Sequence, residues 1–444
     1  MQLELCDIAS AIGATAVGSL RGTVSGVSID SRAIRPGEIF FALVGKNHDA
    51  HKFVPEVLHR GASAAVVSRP VEGVPPGRVL LHVADTLAAL SDLARWVRAR
   101  TKATLIGVTG SNGKTTTREM IHAVLRDEAP TIAAEKSYNT DIGVSLTLFR
   151  LEPETRYGVL EMGINEPGEM DMLQSIAKPD IAVLTCVAAC HLEGFGTEER
   201  IAREKAVIFR DAKYAVFNLD NPWAAWAGEQ CRCEKVSFGL GSGAAVRGSN
   251  PRRTSEGVAF EWEGRTVSLP VMGLFNVHNA LAAIALGVVL GVERDRIVER
   301  LPRFERPKMR MQAERLGEAM LLLDCYNANP YSMAAALDEL DAAAGTRRVV
   351  ICGDMFELGA ETERLHRELG RRIARSRADI ACFIGERMRF AHEEASRLRG
   401  GCQYYATKAD FLKAAPIRLQ AGDVVLVKGS RAMGLEEVAA SLRP

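Results

Sequence analysis

Short, continuous apolar runs recur along the chain, each bounded by Gly, Pro, Asn or Asp. Most are followed by a longer stretch whose apolar positions fall at helical spacing. Runs of the first kind read as strands buried on both faces, and the alternation with helices predicts parallel, doubly wound sheets. Ser25 to Ile29 and Glu38 to Val44 are predicted strands around the turn Arg35-Pro36-Gly37. A helix around Phe53 to Arg60 and a strand over Ala62 to Ser68 follow, and the Pro-rich Val74-Pro75-Pro76-Gly77 lies near the edge of this unit. The first boundary is placed at residue 84, giving a small N-terminal α/β domain over 1–84.

A second unit, 85–311, opens with a helix at Leu87 to Arg100. Strands are predicted at Ala103 to Val108, Gly158 to Met162, Ile181 to Val187 and Ala215 to Asn218. Residues 236–272 are richer in Gly and short extended runs and predict a small antiparallel patch, and the helix Asn279 to Val292 closes the unit. Pro302, Pro307 and the basic run Arg303 to Arg310 read as a hinge. In the third unit, 312–444, strands are predicted at Met320 to Asp324, Arg348 to Cys352, Ile380 to Ile384 and Val424 to Lys428. Helices at Ser332 to Ala344 and Glu363 to Ser376 lie between them, which makes a Rossmann-like domain. The fold class is therefore α/β in three domains, with a central parallel sheet of the P-loop ATPase type.

Composition narrows the function classes. The 444 residues are 47% hydrophobic and 25% charged, with a formal net charge of +1. That balance gives no global electrostatic case for nucleic acid or a membrane surface. The longest near-apolar run, Ala280 to Val292, is too short to span a bilayer as a helix, and Met1 to Leu20 lacks the pattern of a signal peptide. Nine scattered cysteines, an odd count, suit a reducing compartment, so a cytoplasmic protein is expected. Neither Cys186-x-x-x-Cys190-His191 nor Cys231-Arg232-Cys233 has the paired spacing of a structural zinc site, and both read as small buried hydrophobes.

The strongest chemical signal is Thr109-Gly110-Ser111-Asn112-Gly113-Lys114-Thr115-Thr116, lying between the predicted strand at 103–108 and a helix predicted from Thr116 to Arg126. Glycines let backbone N–H groups close around phosphate oxygens, and the helix N-terminus adds a favourable dipole. Lys114 can reach β- and γ-phosphates and Thr115 can ligate Mg²⁺. Val108 stands where the common G-x-x-x-x-G-K-S/T pattern has its first glycine. Glu161 ends one predicted strand and His191 follows another after a short turn, so both can face the loop, where a carboxylate and an imidazole could hold a second Mg²⁺. Lys205 falls on the apolar stripe of a helix predicted from Glu198 to Phe209, with Ile201 and Ile208. There it either snorkels or is desolvated, its pKa lowered and its amine freed for chemistry.

The loop T-G-S-N-G-K-T-T resembles that of the Mur ligases, ATP-dependent amide ligases of peptidoglycan precursor synthesis. His191-Leu192-Glu193-Gly194-Phe195-Gly196 followed by Ala202-Arg203-Glu204-Lys205 resembles a block of the same family. The resemblance implies ATP, two Mg²⁺, a metal role for His191 and a carbamylated Lys205, with Thr115 and Glu161 completing the metal set. His278-Asn279-Ala280 is similar to the adenine-side motif, which implies a nucleotide role for Asn279. Arg310 stands where these ligases place an arginine near the γ-phosphate, and Asp324 where they place a ribose contact.

Asp30-Ser31-Arg32 and Asn47-His48-Asp49-Ala50-His51 look like the loops that hold uridine diphosphate. Ser137-Tyr138-Asn139-Thr140-Asp141 resembles the segment that contacts the muramoyl-peptide end, which implies substrate roles for Ser137, Asn139 and Thr140. Asp324-Cys325-Tyr326-Asn327-Ala328-Asn329-Pro330 and Gly353-Asp354-Met355-Phe356-Glu357-Leu358-Gly359 are similar to third-domain blocks of the branch that adds a dipeptide. Cys325 replaces an Asp of that pattern, and Asn327 and Asn329 are the residues assigned to the amine side. The implied substrates are UDP-N-acetylmuramoyl-tripeptide and D-alanyl-D-alanine, handled by a monomer. Two rivals are a folylpolyglutamate-type ligase, whose loop usually reads G-K-G-S where this chain has Gly113-Lys114-Thr115-Thr116, and a non-catalytic nucleotide-binding subunit, which predicts a broken metal set.

Overall fold

A computed structural model describes residues 2–45, 48–415 and 417–443. Three α/β sheets follow one another along the chain. The first has the strand order Thr15–Val17, Val79–His82, Ala64–Val67, Glu38–Phe41, Gly26–Ser28. Its strands are parallel except at the Thr15–Val17 edge, which runs antiparallel to Val79–His82. Val79–His82 is a strand that the sequence reading treated as the margin of the unit. The prolines before it form the turn that delivers it next to Ala64–Val67.

The long helix Thr86–Arg100 begins at Asp85, whose carboxylate accepts from the N–H groups of Leu87 at 2.7 Å and Ala88 at 3.0 Å. This is an N-cap with the favoured acidic residue. One side of the helix packs on Leu5–Ala11 and Glu38–Phe41 of the first unit. The other packs on the helices Asp141–Leu148 and Glu169–Ala177 of the second.

The second sheet has seven parallel strands: Val246–Arg247, Glu234–Gly239, Tyr214–Asn218, Ile181–Leu184, Thr104–Thr109, Tyr157–Glu161, Thr131–Ala133. Its central strand, Thr104–Thr109, is almost wholly buried, as its continuous apolar run demands. The antiparallel patch expected over 236–272 is smaller than that range. Glu234–Gly239 and Val246–Arg247 extend the parallel sheet because Phe238 and Val246 are buried in its core. Only Ser249–Arg253, Val258–Trp262 and Arg265–Leu269 form the antiparallel sheet. Among the described residues no helix is long and apolar enough to cross a membrane. The apolar run from Ala280 lies in the buried helix Asn276–Val289, which packs on the helix that follows the phosphate loop.

The third sheet runs Gln312–Leu316, Ala319–Asp324, Asp423–Lys428, Arg347–Gly353, Ile380–Ile384, Cys402–Tyr405. Its first two strands form an antiparallel hairpin and the rest are parallel. Glu339, buried on helix Pro330–Ala342, accepts from Arg253 Nε at 2.9 Å, Arg253 Nη2 at 2.7 Å and Leu274 N at 3.1 Å. A bidentate guanidinium–carboxylate pair therefore joins the third unit to the second beside the cleft between them.

Candidate active site

The loop from Thr109 to Thr116 leaves the C-terminal end of the central strand, where an open α/β sheet binds its ligands. Two of its glycines have no substitute. Gly110 has φ 150°, and a Cβ there would lie 1.9 Å from Thr185 Oγ1; Gly113 has φ 85°, and its Cβ would lie 2.3 Å from Asn279 Oδ1. Helix Lys114–Leu125 starts at Gly113, so the first N–H groups of the helix point into the loop. Segment 185–190 clasps the loop from below. Thr185 Oγ1 donates to Asn112 O at 2.6 Å, Ser111 N donates to Cys186 O at 2.8 Å, and Cys190 Sγ donates to Ser111 Oγ at 3.1 Å. The two cysteines are therefore structural supports of the loop. Among the described residues no cluster of three or more His, Cys, Asp or Glu side chains could hold a metal ion.

Glu161 is buried at the end of Tyr157–Glu161. Its Oε1 accepts from Thr115 Oγ1 at 3.2 Å and Asn139 Nδ2 at 3.3 Å. Its Oε2 has no hydrogen bond and lies 3.7 Å from Arg118 Nη1. Lys114 Nζ donates to Gly110 O at 2.7 Å. Lys205 is 1% exposed, makes no hydrogen bond or ion pair among the described residues, and faces Lys114, Cys190 and Cys186. Burial first, and then the neighbouring Lys114 charge, push its amine down to about 8. Nearly all of the Lys205 side chain is therefore withdrawn from water. His191, at φ 51°, turns its Nδ1 onto the carboxylate of Glu357, which that contact holds below the usual range.

The hinge and the third unit each reach over the loop. Arg310 Nη2 donates to Thr115 Oγ1 at 3.0 Å, and the same guanidinium stacks 4.1 Å from the Tyr326 ring centre. Asn329 caps helix Pro330–Ala342 through Ser332 N at 2.8 Å, and its Nδ2 donates to Asn112 Oδ1 at 2.9 Å. Asp324 accepts from Lys428 Nζ at 2.6 Å and Met311 N at 3.1 Å, and Lys428 also donates to Asn327 O at 3.0 Å. The Asn327 side chain only accepts from the adjacent Ala328 N, at 2.8 Å. Asn279 Oδ1 accepts from Thr117 Oγ1 at 3.3 Å. A cavity of about 110 Å³ lies between the two units, lined by Gly113, Thr116, Asn279, Arg310, Asp324 and Lys428.

Of the remaining predicted substrate residues, Ser137 lines a second cavity together with Thr115, Arg118 and Arg310. Asp30 pairs with Arg32, accepting from its N at 3.0 Å, Nε at 2.9 Å and Nη2 at 2.8 Å. The Arg32 hydrogen bonds hold the Asp30 carboxyl down to about 2. Ser31 O accepts from Arg60 Nη1 at 2.6 Å. His48 is exposed, and Asn47 lies outside the described residues. Ser137 is half-buried, and Thr140 is exposed at the start of helix Asp141–Leu148.

The sequence reading gave no role to Arg118, Glu357 or Lys428. Lys428 ends an apolar strand as Glu161 does, so the same positional rule finds it. Arg118 lies three residues after Thr115 on a buried helix face. Glu357, at φ 62°, lies in the Gly353–Gly359 block that the sequence reading singled out without giving this residue a role.

A phosphate loop on a parallel sheet, faced by a desolvated lysine and capped by a second α/β unit, defines a nucleoside-triphosphate-dependent enzyme whose cleft lies between domains. Models of the Mur ligase family match in chain order: the family's catalytic domain over residues 23–98, the middle domain over 108–287 and the glutamate ligase domain over 309–431. The chain belongs to the Mur ligase family. It is 35% identical to the UDP-N-acetylmuramoyl-tripeptide–D-alanyl-D-alanine ligase of Escherichia coli K12, over 96% of each chain. A crystal structure of MurF from Acinetobacter baumannii superposes with a TM-score of 0.91 at 30% identity, covering 100% of this chain and 99% of that one. MurF ligase from Thermotoga maritima in complex with ADP gives a TM-score of 0.81 at 27% identity, covering 94% and 96%.

Proposed function

We propose that this chain joins D-alanyl-D-alanine to UDP-N-acetylmuramoyl-tripeptide, at the expense of ATP, in cytoplasmic peptidoglycan precursor synthesis. The observation that carries the reading is the near full-length likeness to ligases of that name, together with a loop whose Thr115 is reached from the interdomain hinge by Arg310. The terminal carboxylate of the tripeptide takes the γ-phosphoryl group of ATP, ADP leaves, and the dipeptide amine attacks the acyl carbon. Phosphate then departs and the amine proton is lost to solvent.

Lys114 and Arg310 neutralise the phosphoryl group as it transfers, and the loop N–H groups hold it in line. Asn279, Asp324 and the loop from Thr109 to Thr116 bind the nucleotide. Asp30, Ser31, Arg32, Asn47 and His48 hold the uridine diphosphate end. Ser137, Asn139 and Thr140 guide the peptide, and Asn327 and Asn329 belong to the amine side.

The buried Glu161 Oε2, without a hydrogen bond, fits a cation, and Thr115 stands beside that carboxylate. Two magnesium ions would be held by Thr115, Glu161, His191 and a carbamate on Lys205, and would supply charge neutralisation. The carbamate would provide the further carboxylate that the unmodified side chains lack. Closure of the third unit excludes water that would otherwise hydrolyse the acyl phosphate. We place the domain divisions at 84/85 and 311/312 and read the protein as a monomer.

Phosphate release measured with ATP, Mg²⁺, UDP-N-acetylmuramoyl-tripeptide and D-alanyl-D-alanine, omitting each in turn, is expected to need all four and to give a product heavier by the dipeptide. Protein that binds ATP yet releases no phosphate with tripeptides of either common third residue would instead be a nucleotide-binding regulatory subunit.

A further inference from the structure

Two residues with left-handed backbones meet across the boundary between the second and third units. His191 has φ 51° and Glu357 φ 62°, and His191 Nδ1 rests on the Glu357 carboxylate. The segments that carry them are docked by other means. Glu193 N donates to Glu357 O at 3.1 Å, and the turn Leu192–Phe195 packs on Gly359–Glu361. Leu192 and Leu358 are both buried in one apolar cluster.

The ion pair is therefore not what holds the units together. The Glu357 side chain is 54% exposed, and pairs this open contribute about 0–1 kcal/mol. Two non-glycine residues in the left-handed region cost about 1–3 kcal/mol each, more than the pair returns. Among the described residues Glu357 makes no other ion pair or side-chain hydrogen bond, and His191 Nδ1 has no other partner. Strain thus persists where it puts a carboxylate on one nitrogen of an imidazole. A ring that gives its Nδ1–H to a carboxylate is fixed in orientation and keeps its lone pair on Nε2, the form in which histidine holds a cation.

Resting on the reading of His191 as a magnesium-holding residue, we infer that Glu357 is a positioning residue for it, delivered by the third unit. Glu357 fixes the imidazole with Nε2 free for the cation, and does so only while the third unit is docked. The other residues assigned to the cations, Thr115, Glu161 and Lys205, all belong to the second unit. The His191 site is then completed by the same docking that covers the phosphate loop.

The test uses Mn²⁺ as the probe in place of Mg²⁺, with a non-hydrolysable ATP analogue present so that nothing turns over. EPR of free Mn²⁺ gives the affinity of each site, and pulsed EPR detects coupling to an imidazole nitrogen. Glu357→Ala is expected to weaken the imidazole-coupled site about tenfold or more, the scale for losing the partner of a metal-bound histidine, and to leave the other site within about twofold. Glu357→Gln, whose amide oxygen still accepts from Nδ1, should recover part of the loss. In the metal-free protein, nitrogen NMR should show His191 protonated on Nδ1 in the parent and shifted toward the Nε2 tautomer in Glu357→Ala, with thermal denaturation close to the parent. A merely structural role would move the melting and not the tautomer. Either an unchanged Mn²⁺ affinity or an unchanged tautomer in Glu357→Ala, alongside loss of the coupled site in His191→Ala, would overturn the inference and leave the reading of His191 standing. Absence of imidazole coupling in the parent would overturn that reading and the inference with it.

Discussion

Lys205→Ala is expected to lower kcat by about two orders of magnitude or more, the scale seen when a group that stabilises developing charge is removed. ATP affinity should change little, because the side chain faces the loop without being hydrogen-bonded to it. Turnover, nucleotide displacement and thermal denaturation measured on one preparation separate this from misfolding. Added bicarbonate should not rescue the variant, since alanine offers no amine to carbamylate; full activity would remove the carbamate from the mechanism.

The parent enzyme is expected to give a matching pH signature. Only the neutral amine adds carbon dioxide, forming the N–C bond and losing a proton. With the amine held at about 8 instead of the ordinary 10.5, about a tenth is neutral at pH 7. The neutral fraction rises with pH, so bicarbonate dependence should be steepest near pH 7 and fade by about pH 9. Mass spectrometry of the trapped carbamate would follow the same curve.

Gly113→Ala is the second large effect. Gly113 holds φ 85°, which costs an alanine about 1–2 kcal/mol, and the new methyl would also sit 2.3 Å from Asn279 Oδ1. The loop must shift to admit it, and the first N–H groups of the helix shift too. ATP affinity should fall by well over the roughly tenfold that strain alone explains. Gly291→Ala supplies the control: its φ is 73° but nothing lies within 4 Å of the added carbon, so it should lose stability and keep ATP binding. Equal ATP affinities in the two variants would show that the crowding against Asn279 is harmless.

The phosphate loop, Glu161 and Lys205 were legible in the sequence because each sits at a position that a local rule marks: a Gly-rich turn after a buried strand, a strand end, an apolar helix stripe. The strands missed in the third sheet, Gln312–Leu316 and Cys402–Tyr405, are edge strands only partly buried, so they lack the continuous apolar run. The antiparallel patch was drawn too wide because short extended runs look alike whether they extend a parallel sheet or start a new one. Partnerships across units, such as His191 with Glu357 and Asn112 with Asn329, join residues far apart in the chain. They depend on how the third unit docks, which no local pattern encodes.

Helix Thr86–Arg100 packs simultaneously against the first sheet's layer and the helices of the second unit. Its apolar residues Ala89, Leu90, Leu93 and Ala94 are all buried. Peeling the first unit away would expose that stripe to water, so the first two units should melt as one cooperative block. The third unit meets the second through the polar pairs Arg253–Glu339 and Asn112–Asn329 as well as apolar contacts, and the nucleotide cavity opens between them, so it should come apart earlier. A calorimetric trace would then show two transitions, and ATP would raise the lower one more, because nucleotide bridges only the junction that breaks first.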